Sequence, residues 1–294
     1  MIKGTVIKGT IIKGVGGQYT VDTSSGRYIC NARGLFRKQK LTPTIGDVVD
    51  ISIADNQTGT IMEIMPRINE LQRPRVANID QVVIVLAAAQ PDLHFALLDR
   101  YLMQAEYEEI EAAICINKTE LADNKLTDTV REIYEPIYPV FTVSVAEKLG
   151  LESLREYLHD KTTVLAGPSG VGKSSIINIL TDQELETGEV SEKIGRGRHT
   201  TRHTEFVPII SEGEYSGGYI IDTPGFSSLE LPDVPKTERA GLFKEFRPWL
   251  GLCKFRDCSH LSESGCAIKE QVGKTIHPQR YERYKDFGSK GFGS

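Results

Sequence analysis

Apolar and β-branched residues in the first seventy positions gather in short runs at 5–13, 18–21, 27–32, 47–53 and 58–64, with polar positions interleaved. Gly16-Gly17 and the polar stretches 24–26 and 56–59 break these runs, as turns between strands do. Five strands in so short a length predict a small closed β-barrel of the OB type. From position 81 the texture changes. Residues 82–88 form a continuous apolar run, expected of a strand covered on both faces. Residues 95–109 carry Leu97, Leu98, Tyr101, Leu102 and Ala105 at helical spacing. Further strands are predicted at 112–116, 140–145, 163–166 and 219–221, and helices at 126–134, 151–159 and 173–180. Strands alternating with helices specify a parallel α/β sheet. Beyond position 231 the pattern predicts a helix at 236–246, a cysteine-bearing loop and a basic, tyrosine-bearing helix at 278–286. A disordered Gly/Ser-rich tail is expected from 288 onward. The chain therefore reads as multidomain: a β-barrel over 1–70, an α/β domain over 71–230 and a mostly helical small domain over 231–294.

Net charge over the 294 residues is −5, but its distribution is uneven. Residues 1–70 carry 9 basic against 6 acidic side chains, residues 71–235 carry 14 against 27, and residues 236–294 carry 12 against 7. An acidic middle between two basic ends suggests that the ends meet a polyanion; solvated faces are the alternative. Arg33, Arg37, Lys38 and Lys40 surround Phe36, which suits phosphate contact with base stacking as well as it suits a solvated loop. No apolar run reaches membrane-spanning length and no signal peptide is evident, so a cytoplasmic protein without a membrane partner is expected. Cys30 and Cys115 stand alone in strand-like segments and read as inert buried thiols.

Gly167, Pro168, Ser169, Gly170, Val171, Gly172, Lys173 and Ser174, followed by Ser175, fit G-x-x-x-x-G-K-[ST] between a predicted strand and a predicted helix. Glycines there let successive N–H groups turn inward around phosphates, and the helix N-terminus adds positive potential. Lys173 would reach the β- and γ-phosphates and the Ser174 hydroxyl would bind Mg²⁺. The base is chosen elsewhere. Asn117, Lys118, Thr119 and Glu120 end a buried strand and approximate N-K-x-D. A carboxylate at the fourth position accepts both N1–H and N2–H₂ of guanine, a donor pair that adenine lacks. Glu120 lengthens that arm by one methylene. Ser144, Val145 and Ala146 close the next strand, where a second base contact would lie.

Asp222-Thr-Pro-Gly225 fits D-x-x-G, with Asp222 directed at Mg²⁺ and the Gly225 amide at the γ-phosphate. Between it and the phosphate loop lies a glycine- and cation-rich segment over 195–203, in which Thr201 or Thr200 could complete the Mg²⁺ shell. Phe226 stands where many GTPases place a water-orienting glutamine, so slow intrinsic turnover is expected. His199 is the candidate catalytic group. Cys253, Cys258, His260 and Cys266 gather three thiols and one imidazole within fourteen residues, the donor set of a closed structural Zn²⁺ site. The base-reading motif precedes the phosphate loop, the reverse of the ordinary order. One site still forms if the domain is circularly permuted.

The permuted order, the GPSGVGKSS loop, GRHTTRH, DTPGF and the Cys253–Cys266 cluster together resemble the RsgA (YjeQ/YloQ) GTPases over nearly the whole chain. The resemblance implies an OB fold, a permuted P-loop GTPase domain and a zinc domain. It implies GTP as substrate and GDP as product, with Mg²⁺ at the nucleotide and one structural Zn²⁺. It also implies late maturation of the 30S ribosomal subunit, stimulation by that subunit, basic ends gripping 16S rRNA, and a catalytic part for His199. A monomer is expected. The residues taken alone leave three rivals open: an RNA-binding module with a merely structural nucleotide site, a P-loop kinase, and a permuted GTPase of the large subunit.

Overall fold

A computed structural model describes residues 6–38, 41–54, 57–72, 75–181, 205–211, 214–222, 234–235 and 238–290. The strands are β1 (Val6–Val15), β2 (Gln18–Thr23), β3 (Gly26–Ala32), β4 (Val48–Ile53), β5 (Thr58–Ile64), β6 (Glu70–Gln72), β7 (Arg75–Ala77), β8 (Gln81–Ala87), β9 (Glu111–Asn117), β10 (Val140–Thr142), β11 (Thr162–Ala166), β12 (Phe206–Ser211) and β13 (Glu214–Asp222). The helices are α1 (Gly34–Lys38), α2 (Phe95–Tyr107), α3 (Asn124–Tyr134), α4 (Leu151–Leu158), α5 (Lys173–Thr181), α6 (Ala267–Glu270) and α7 (Pro278–Lys290). They fall into two units, one comprising residues 1–81, 155–165 and 174–226, the other 82–154, 166–173 and 227–294.

In the first unit β1-β2-β3-β5-β4 close a barrel, antiparallel throughout except where β3 meets β5. The expected five strands are all present. Period-two alternation sends Ile11, Val21, Cys30, Val49, Ile51 and Ile61 inward, and Phe36 of α1 completes that core. Residues 33–40 were expected either as a phosphate and base-stacking contact or as a solvated loop. Residues 34–38 instead form α1 and bury Phe36 in the barrel core, so its ring is not open to a base. The side chains of Arg37, Lys38 and Lys40 lie outside the described residues. Burial pushes the Cys30 thiol up to about 11, as an inert core thiol requires. The β6–β7 hairpin was not anticipated. Its Glu70 and the fully buried Asp47 share the guanidinium of Arg67, with Nε 2.7 Å from Asp47 Oδ1. The same unit holds β11, β13 and β12 in that order, β11 parallel to β13 and β12 antiparallel to it.

Gly46 joins the barrel to this second sheet segment. Its φ is +92°, and a Cβ there would stand 2.0 Å from the Ala77 carbonyl and 3.0 Å from the Phe206 ring. Gly46→Ala is therefore expected to lose roughly 1–3 kcal/mol of stability, read as a lower thermal midpoint. An unchanged midpoint would contradict the close approach.

In the second unit β10, β9 and β8 lie side by side, β9 and β10 parallel. β8 is buried at every position, as its unbroken apolar run predicted. β10 ends at Thr142 rather than 145, and Ser144 turns back to pair with Leu149. Cys115 is fully buried, which pushes its thiol up to about 12. The helix expected at 236–246 is instead two 3-10 segments, Arg239–Leu242 and Lys244–Trp249. Phe243 is the extended residue between the two segments, and it and Phe246 are both fully buried. They meet Tyr284 of α7 with ring centroids 5.3 and 5.1 Å away, and Met103 of α2 enters the same core. α7 extends to Lys290, so the tail predicted as disordered from 288 begins as helix.

A buried charge cluster that no motif announced ties α7 to α2. Arg280 and Asp99 are both fully buried, with Nη1 2.5 Å from Oδ1, and Glu245 Oε1 lies 2.6 Å from Arg280 Nε. Arg283 and the Tyr134 hydroxyl also reach Asp99, so the carboxylate's desolvation is offset by several bonds rather than one. Among the described residues no helix is long and apolar enough to cross a membrane.

Candidate active site

The phosphate loop runs from the end of β11 to the start of α5, the strand-to-helix setting its pattern requires. Gly167 has φ +140°, and a Cβ on it would lie 2.1 Å from the Val85 carbonyl of β8. Gly170 (φ +79°) and Gly172 (φ +94°) also occupy the left-handed region. These conformations are what turn backbone N–H groups toward a shared anion. The Lys173 ammonium folds over the loop, 2.8 Å from the Gly167 carbonyl and 2.7 Å from the Pro168 carbonyl. Val171 is buried beneath it, while Ser169 and Gly170 are exposed. Ser174 and Ser175 follow in the first turn of α5.

Asn117 carries the central observation of the site. It is the last residue of β9 and only 2% exposed. Its Nδ2 donates to the Val171 carbonyl at 2.9 Å, and its Oδ1 accepts the Val145 N–H at 3.4 Å. One carboxamide thus ties the base-reading segment, the Ser144–Val145–Ala146 turn and the phosphate loop. The close approach of Gly172 is the counterpart: a Cβ there would meet Asn117 Nδ2 at 2.3 Å. After Asn117 the chain leaves the strand with Lys118 at φ +59°, and its ammonium bonds to the Gln90 carbonyl. Thr119 Oγ1 donates to the Val143 carbonyl at 3.1 Å. Glu120 sits in a 3-10 turn with its side chain exposed, where a ligand's edge can reach it. The buried Ser144 hydroxyl accepts the Glu147 N–H at 3.0 Å and so shapes the second turn.

Asp222 ends β13, paired in register with Leu165 of β11, two residues before Gly167. Its backbone therefore closes the strand beside the one that opens the phosphate loop. His199, Thr200, Thr201 and Gly225 lie outside the described residues.

Near the C-terminus the sulfur and imidazole donors of Cys253, Cys258, His260 and Cys266 all lie within 4.8 Å of one another. His260 Nδ1 stands 3.5 Å from Cys253 Sγ and 3.4 Å from Cys266 Sγ, and those two sulfurs are 3.9 Å apart. The edges of a tetrahedron with Zn–S and Zn–N bonds of about 2.3 and 2.0 Å measure roughly 3.5–3.8 Å, so the donors fit zinc. Burial pushes the Cys258 thiol up to about 12 and raises Cys266, so thiolates here require a compensating cation. Glu263, which the sequence did not single out, organises the loop. It accepts from Ser259 Oγ at 2.6 Å and from the Ser259, Leu261 and Ser262 amides, which holds its carboxyl down at about 2. Tyr281 and Tyr284 of α7 donate to the His260 and Ser259 carbonyls at 2.8 and 2.7 Å.

Residues 8–61 match the family model of the RsgA N-terminal domain, and residues 64–232 that of the RsgA GTPase. The small ribosomal subunit biogenesis GTPase RsgA of Caldanaerobacter subterraneus is 43% identical over 92% of this chain and 91% of its own length. The protein of the same name from Alkaliphilus metalliredigens is 44% identical over 97% of this chain and 96% of its own. The crystal structure of YjeQ from Thermotoga maritima superposes with a TM-score of 0.84 at 33% identity, covering 99% of this chain and all of that one. YloQ, a circularly permuted GTPase, gives 0.80 at 37% identity over 98% and 95% of the two chains.

Proposed function

The chain belongs to the RsgA family and is a GTP hydrolase, and on that premise we propose that it acts as a late maturation factor of the small (30S) ribosomal subunit, binding 16S rRNA and being stimulated by the subunit. The Asn117 bridge supports this reading, because it brings segments of reversed sequence order side by side, as one shared nucleotide would require. We assign the barrel to 1–70, the permuted GTPase domain to 71–230 and the zinc domain to 231–294. The barrel and the basic C-terminal segment supply the cationic surfaces for rRNA in an otherwise acidic chain. A monomer acting in the cytoplasm completes the reading.

Guanine is held by Glu120 through its paired donors, with Lys118 alongside and Asn117 fixing the turn that presents them. The inward-facing amides of 167–172 and the Lys173 ammonium stabilise charge developing on the β- and γ-phosphates. Ser174 and Asp222, with Thr201, hold Mg²⁺, which when bound neutralises the charge shared by those phosphates. His199 is assigned to the attacking water when the subunit stimulates hydrolysis. Cys253, Cys258, His260 and Cys266 hold one structural zinc, which supplies folding free energy rather than catalysis.

Phosphate release measured with and without 30S subunits tests the assignment, together with co-sedimentation against 30S and 50S under GTP-analogue and GDP conditions. Stimulation and pelleting with 30S alone are expected; pelleting with 50S, or hydrolysis indifferent to 30S, would overturn the assignment. His199→Ala is expected to remove the stimulated increment while nucleotide binding persists. ATP competing equally with GTP would count against the role given to Glu120.

A further inference from the structure

We propose that the β1–β2 hairpin of the barrel is a positioning element for GTP hydrolysis, acting through Lys13–Glu205 and Asp22–Tyr219 on the two strands that adjoin the nucleotide-sensing motifs. The inference rests on the reading of 195–203 and Asp222–Gly225 as those motifs. Glu205 follows the first of them in sequence, separated from His203 by one residue, and leads into β12. Its Oε2 lies 2.6 Å from Lys13 Nζ, and the two residues also form an antiparallel backbone bridge. On the neighbouring strand Tyr219, three residues before Asp222, donates its hydroxyl to Asp22 Oδ2 at 2.8 Å. Asp22 is in turn braced by Arg27 Nε at 3.4 Å.

The aim of Lys13 follows from a register shift between Ile11 and Lys13 in the β1–β2 pairing. Such a bulge turns the strand and redirects the side chain beyond it. Ile11 and Ile12, consecutive in sequence, are both buried as a result. One barrel hairpin therefore holds the strand that leaves the first motif and the strand that enters the second.

The ion pair is 40% exposed on both sides, so it adds little to overall stability. Its consequence lies in where it sits. Fixing the strand that leaves one motif and the strand that enters the other is pre-organisation, which appears in the rate of the chemical step rather than in nucleotide affinity. A ligand on the barrel that shifts this hairpin changes the same rate.

Single-turnover GTP hydrolysis, GDP affinity and thermal midpoint are measured on the full chain for wild type, Lys13→Glu, Glu205→Lys and the double reversal, alone and with 30S subunits. Each single reversal is expected to slow hydrolysis about three- to tenfold, with GDP affinity and midpoint unchanged. The double reversal restores at least half of the loss, and GDP affinity and midpoint, which a merely structural role would move, stay at their wild-type values throughout. Tyr219→Phe, lacking only the hydroxyl, slows the step without altering the midpoint. Single reversals as fast as wild type, or a double reversal no faster than the slower single, overturn the inference. A wild type that 30S does not stimulate overturns the function proposed above instead, because the basal rates still report the coupling.

Discussion

Stripping zinc by chelation, or replacing Cys258 with Ser, is expected to unfold the 253–266 loop and to lower the first thermal transition well below that of the intact protein. Apart from a single turn of helix just after Cys266, the cluster is built from turns, and four donors from a fourteen-residue stretch converge there. Without a cation three partly or wholly buried thiols gain nothing from their proximity, whereas a structural zinc contributes about 10 kcal/mol or more of apparent binding free energy at neutral pH. The loss spreads, since Tyr281 and Tyr284 give their hydroxyls to carbonyls of this loop and belong to the core containing Phe243 and Phe246. Zinc content by atomic absorption, near-ultraviolet circular dichroism and melting, each before and after adding Zn²⁺ back, measure the effect. Cys30→Ser, in the barrel core, leaves zinc content untouched. A stripped protein that melts as the intact one does would remove the metal from the account.

Asn117→Ala is expected to weaken GDP and GTP binding by several hundredfold while the chain stays folded. The substitution deletes two hydrogen bonds of one carboxamide and leaves the buried Val171 carbonyl and the half-buried Val145 amide without them. Each orphaned group costs roughly 1–3 kcal/mol, and about 3–4 kcal/mol together corresponds to a few hundredfold in affinity. The cost appears in binding because both groups belong to the loops assigned to the ligand, whereas β9 itself is held by its ladder and by five other buried residues. Calorimetric titration with GDP, beside a melting curve, separates the two. Wild-type affinity in a folded Asn117→Ala protein would show that the three segments do not share a ligand.

How far the molecule was legible beforehand depended on the range of the interaction concerned. The barrel strands, the buried β8 and the helix after the phosphate loop each follow from local periodicity, because side-chain direction repeats every two or 3.6 residues whatever lies elsewhere. The segment 239–249 did not yield to this reasoning. Its apolar spacing suits an α-helix, but Phe243 is extended between the two short segments and Pro248 within the second lacks the N–H that a continuing helix would donate. β6 and β7, three residues each, are too short to carry a period at all. Their stability comes from Arg67, which reaches Asp47 twenty residues away.

For the site, the chemistry was written in the residue types. A glycine-rich loop closed by Lys173 and Ser174, a carboxylate at Glu120 and the donor set ending at Cys266 each name a ligand class, because phosphate, guanine and zinc accept few alternatives. Only the tertiary structure decided that Asn117 joins its own segment, the 144–146 turn and the phosphate loop, that Gly167 must lack a Cβ because Val85 lies against it, and that Glu263 and two α7 tyrosines hold the cysteine loop. The physical reason is common to all three. A ligand is recognised by groups whose chemistry belongs to the residue, but those groups are held in place by buried hydrogen bonds between distant segments, and no local pattern records which segments will meet.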